Sequence, residues 1–118
     1  MNGSSKSGYY LVHSTNLKNN GVENLAYKMK HKYSKLKGPA VLLPRVGKPT
    51  KSKICILESE STVILSDCVL AIETLTINDA VNLQKTIIRR WASFSQMYQG
   101  TGAKYTTVKK LEIFLSKV

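Results

Sequence analysis

The sequence predicts an α+β domain in which a mostly antiparallel sheet of about four or five strands is flanked by helices. Three observations predict it. Short β-type runs bounded by turn residues fill the middle of the chain. From Thr76 onward the apolar residues recur at helical spacing. With 118 residues, 42% of them hydrophobic, the chain can fill one modest core and not two. The expected division is a flexible tail over 1–8, rich in Gly and Ser, and a single domain over 9–118.

In chain order, 9–12 reads as a short strand. The apolar residues Val22, Leu25, Ala26, Met29, Tyr33 and Leu36 then follow helical spacing, and Gly38-Pro39 ends that helix. Lys28, Lys32 and Lys35 share one face of it, as a contact surface or as a solvated lysine face. Residues 40–43 (Ala-Val-Leu-Leu) form a β-type run stopped by Pro44. Residues 45–53 read as an exposed basic loop joining two strands. Residues 54–57, 62–65 and 68–72 give three more strands, with Glu58-Ser59-Glu60-Ser61 as a hairpin turn between the first two.

A helix opens at Thr76, an N-cap residue with Asp79 three positions on. Its stripe of Ile77, Ala80, Val81, Ile87, Ile88, Trp91, Phe94 and Tyr98 reads as core, interrupted only by Gln84. Arg89 and Arg90 are either its cationic outer edge or favourable C-terminal charges. After a loop over 99–106, a last helix begins at Thr107 and buries Val108, Leu111, Phe114 and Leu115.

The charge is lopsided. The net charge is +11, and residues 1–53 hold eleven basic residues against one acid, whereas 54–118 hold seven against six. Such a surplus repels itself and is easiest to understand beside a polyanion. Cys55 and Cys68 sit in apolar runs, where a thiol behaves as a small hydrophobe. With no cleavable signal and no apolar run near the ~20 residues of a membrane span, the expectation is a cytoplasmic protein in a reducing compartment.

Catalytic and metal chemistry find little support. His13 and His31 are the only histidines, and the cysteines stand thirteen positions apart with no second ligand pair. No nucleophile-elbow, zinc-protease or phosphate-loop pattern occurs. An enzyme on its own is therefore the weaker reading. For binding, two glycine-containing loops stand out. In Pro44-Arg45-Val46-Gly47-Lys48-Pro49 the prolines restrain a basic segment, so Arg45 and Lys48 lose less entropy on contact. The fork of Arg45 suits a guanine edge, while Lys48, Lys51 and Lys53 suit phosphates; the alternative is a tight solvent-facing turn. In 100–105 (Gly-Thr-Gly-Ala-Lys-Tyr), Thr101, Lys104 and Tyr105 precede a helix N-terminus that favours a phosphate oxygen.

These residues carry a resemblance. The Pro44–Pro49 segment, then 65–72 (Leu-Ser-Asp-Cys-Val-Leu-Ala-Ile), then 98–111, which contains Gly-Thr-Gly-Ala-Lys-Tyr, occur in the order seen in target recognition domains. Those are the specificity domains of N6-adenine DNA methyltransferases and of type I restriction specificity subunits. The resemblance covers roughly residues 38 to 117. It implies a recognition domain that holds duplex DNA while a separate catalytic domain or subunit binds S-adenosylmethionine and methylates an adenine. It implies no cofactor in this chain, which lacks the Asn-Pro-Pro-Tyr/Phe type motif and a cofactor glycine loop. The chain resembles an excised or naturally separate recognition domain. The rival readings are an RNA-binding module using Tyr9, Tyr10, Tyr27 and Tyr33, and a basic module that docks an acidic protein.

Overall fold

The computed structural model describes residues 8–25, 28–29, 35–99 and 105–117. Its centre is the run Ala-Val-Leu-Leu-Pro. In β6 (Ala40–Pro44) all five residues are buried, which a strand achieves only when both faces are covered. The strand period of two divides them. Val41 and Leu43 face a core shared with helices α1 (Ile77–Arg89), α2 (Trp91–Ser95) and α3 (Val108–Leu115). Ala40 and Leu42 face a second core.

Strand β6 pairs antiparallel with β7 (Cys55–Leu57) on one side and β9 (Val69–Glu73) on the other; Val41 stands opposite both Ile56 and Ile72. The second core is closed by a four-stranded sheet in the order β4-β1-β8-β5. There β1 (Tyr9–Val12) runs parallel to β8 (Thr62–Leu65) and antiparallel to β4 (Lys28–Met29), and β5 (Leu36–Lys37) runs antiparallel to β8. A small hairpin, β2 (Leu17–Lys18) with β3 (Gly21–Val22), turns through Asn19 and Asn20 at φ +52° and +63°, the left-handed pair that such a two-residue turn requires. The chain is thus an α+β fold with helices on one face of a mostly antiparallel assembly. Nine strands stand in three sheets among the described residues, where about four or five in one sheet were expected.

Among the described residues of 22–36 the expected helix is absent. Asn24 has φ +59°, which a right-handed helix does not allow, and the flanking segments pair as β3, β4 and β5. The apolar Val22, Leu25 and Leu36 still face a core, but they reach it from strands and loops. Lys28, Lys32 and Lys35 therefore share no helical face: Lys28 lies in β4, Lys35 precedes β5, and Lys32 is outside the described residues. Gly38-Pro39 ends no helix either. It is a cis X-Pro turn joining β5 to β6. The 58–61 turn is real, with the Ser61 N–H donating to Glu58 O at 3.1 Å, yet it is no hairpin. Its flanking strands belong to different sheets because β6, longer and wholly apolar, is the better partner for β7.

The C-terminal half follows its local signals closely. The Thr76 hydroxyl accepts from Asp79 N at 3.1 Å and that of Thr107 from Lys110 N at 3.2 Å, so both expected N-caps are made. The long helix expected from Thr76 to Tyr98 is broken at Arg90, whose ψ of +37° is not helical. That break turns α2 and lets Phe94 and Tyr98 reach the core of α3. Val108, expected inside, is 57% exposed, since it lies in the first turn of α3 and Leu111 and Phe114 are the residues aimed at the core. Gln84, the polar interruption, donates its amide to Ile54 O at 2.7 Å, tying α1 to the end of the basic loop.

Candidate nucleic-acid interface

The backbone of Arg45 is fixed from two sides. Its N–H donates to Cys68 O at 2.7 Å, and its carbonyl accepts from Thr106 N at 2.8 Å. One residue earlier, the buried Tyr98 hydroxyl donates to Pro44 O; burial holds that phenol well above its ordinary pKa. One residue later, Val46 pairs antiparallel with Tyr105. Tyr105 in turn exchanges two hydrogen bonds with Gln99, at 2.9 and 3.0 Å, which close the base of 100–104. Residues 45–46 and the segments at 99 and 105–106 therefore form one small antiparallel base, where described residues of both glycine segments singled out in the sequence meet.

Along the basic loop the side chains of Arg45, Lys48 and Lys51 are exposed. Among the described residues the Arg45 side chain makes one long contact, Nη1 to Asp67 O at 3.4 Å. Gly47 stands at φ +88° with open space where a Cβ would point, so the turn needs its conformation and not its small size. Tyr105 is 46% exposed beside Val46 at 39%, a solvent-facing apolar pair among cations.

The rest of the expected set divides. The Lys53 ammonium donates to Ser14 O at 3.0 Å and is half-buried, so it anchors the loop to the 14–16 turn. Lys35 lies over the Tyr9 ring at 5.1 Å, on the four-stranded sheet and not on the loop base. Thr101 and Lys104, like Tyr27 and Tyr33, lie outside the described residues.

Two contributors escaped sequence reasoning. Lys110 is half-buried, with its ammonium 5.4 Å from the centre of the Tyr105 ring and 3.3 Å from Gln99 Oε1. The Thr107 cap was its signal, because a helix starting there puts position 110 in the first turn. Asn20 clamps the far end of the basic loop. Its N–H donates to Ser52 O at 2.7 Å, and its amide donates to Lys51 O and Ile54 O at 2.8 and 3.1 Å. The Asn19-Asn20-Gly21 sequence is a legible two-residue turn, but nothing local tells which segment it grips.

Beneath the loop Cys55 is fully buried, and burial pushes its thiol pKa up to about 12, so it packs as an apolar group. Among the described residues no three His, Cys, Asp or Glu side chains come together as metal ligands, and no helix is long and apolar enough to cross a membrane. The basic loop and its base together thus offer a fixed main chain, an exposed guanidinium, two exposed ammonium groups, and an aromatic ring with a third ammonium over it. Comparison with protein-family models, curated proteins and solved structures finds no match to this chain.

Proposed function

We propose that this chain binds duplex DNA in a sequence-directed manner, as the target recognition domain of an adenine-specific DNA methyltransferase or restriction-modification protein. In this reading it is not itself catalytic, and a separate catalytic domain or subunit binds S-adenosylmethionine and carries out the transfer. The observation that carries the reading is the pairing of Val46 with Tyr105, which joins the two glycine loops, far apart in sequence, at one cationic base. Phosphate contacts from Lys48, Lys51 and Lys110 supply affinity and register, and Arg45, held by main-chain bonds on both sides, reads a base edge.

The test separates reading from holding. A bidentate arginine–guanine pair is worth roughly 1–3 kcal/mol of discrimination, so Arg45→Ala should narrow the gap between a duplex selected from a random pool and a scrambled one by about that amount. Lys48→Ala should weaken both duplexes by a similar factor. Alanine keeps the main-chain bonds at position 45, and both side chains are exposed, so the thermal melts should match that of the parent. Equal losses on the two duplexes for Arg45→Ala would remove it as the base reader.

A further inference from the structure

Beside the loop base, α2 and α3 leave a groove of about 430 Å³, within the range of about 300–1,000 Å³ typical of small-molecule sites. Its apolar floor is made by the buried Met97 and Phe114, and the exposed Ile113 also lines it. Its polar lining comes from Ser93, Gln96 and Gln99, with Lys110 and Lys117 supplying two positive charges and no acid among the lining residues. Neither the Ser93 hydroxyl nor the Gln96 amide makes a hydrogen bond within the described residues. Gln99 and Lys110 belong to both places: they line the groove and they hold Tyr105 at the interface.

We infer that this groove receives one nucleotide turned out of the bound nucleic acid. The inference rests on the DNA-binding reading above and adds a site to it. An unpaired base has an apolar face and a donor–acceptor edge, and it remains tethered to a phosphate. The floor accepts the face, the side-chain amides of Gln96 and Gln99 offer both donors and acceptors to the edge, and Lys110 and Lys117 meet the phosphates on either side. An acidic peptide would satisfy the two lysines but leave the unpartnered amide and hydroxyl without a planar edge to match.

The experiment uses the whole chain and three probes: a perfect duplex, the same duplex with a single-nucleotide bulge, and a free deoxynucleoside monophosphate. The bulged duplex should bind about tenfold more tightly than the perfect one, the scale of one stacked base. Ser93→Phe, which fills the groove from an exposed position, should bring that ratio to one while leaving perfect-duplex binding unchanged. Gln96→Ala should lower the ratio without the added bulk and serves if the larger residue disturbs folding. A ratio of one in the parent chain with firm duplex binding, or a preference that survives both variants, would overturn the groove site. Free nucleotide bound as tightly as the bulged duplex would overturn the extruded base in favour of a free ligand. Failure of the parent to bind either duplex would overturn the DNA-binding reading itself.

Discussion

Phe94→Ala should lower the stability of the fold by about 3–5 kcal/mol, the range for truncating a fully buried aromatic side chain. Phe94 is 0% exposed, and its ring lies 5.3, 5.6 and 5.5 Å from those of Trp91, Tyr98 and Phe114. It is the one aromatic side chain that touches all three others, so neighbours cannot collapse into the space without giving up their own packing. Set against a typical total of about 5–15 kcal/mol, the loss is a large fraction of the whole. A denaturant titration should show the midpoint falling with little change in slope. A loss below about 1 kcal/mol would mean that the cluster is not the keystone of the helical layer. The consequence reaches the interface, because Tyr98 leans on Phe94 and carries the hydroxyl that holds Pro44, immediately before Arg45.

Gly38→Ala should cost about 3 kcal/mol or more, at the upper end of the range for overpacking. A Cβ at position 38 would fall on the carbonyl of Glu58 and stand 2.8 Å from that of Leu57. Both obstacles are main chain, so no side-chain rotation relieves them. The Gly38 N–H also donates to Ser61 O at 2.9 Å, and the turn it holds joins β7 in one sheet to β8 in the other. Gly47→Ala is the comparison: its Cβ meets open space, but φ +88° penalises any L side chain, for a smaller loss of about 1–2 kcal/mol. Urea melts of the two variants measure the difference. Equal small losses would show that the connection at Gly38 yields more readily than its packing implies.

What was legible in the sequence is what local chemistry decides. Thr76 and Thr107 cap their helices because the hydroxyl and the N–H it serves lie three residues apart. The run 40–43 was readable as a strand, though not its extension through Pro44 or its burial on both faces, and 45–53 was readable as a basic loop. Partner choice was not legible. The apolar spacing over 22–36 fits a helix, yet Val22, Leu25 and Leu36 reach the second core from strands and loops, with Asn24 left-handed between them. Strand β7 passes over its sequence neighbour β8 for β6, and Asn20 grips a loop some thirty residues away. Those outcomes depend on which surfaces meet, and periodicity does not contain that information. The interface shows the same division: Arg45, Lys48 and Lys51 were readable as a basic loop, whereas Lys110 joins them only through the contact of Tyr105 with the first turn of α3.

Salt dependence decides whether the cationic loop and its base engage duplex DNA. The 118-residue chain should be titrated against one duplex at several salt concentrations from 50 to 200 mM. If Arg45, Lys48, Lys51 and Lys110 engage the duplex, each neutralised phosphate contributes about −0.9 to the slope of log K against log salt, and a slope of roughly −3 to −4 is the expected result. The slope should become shallower by about one unit for Lys48→Ala. Absence of measurable binding at 50 mM salt, or binding whose strength does not change with salt, would contradict a nucleic-acid role for this surface.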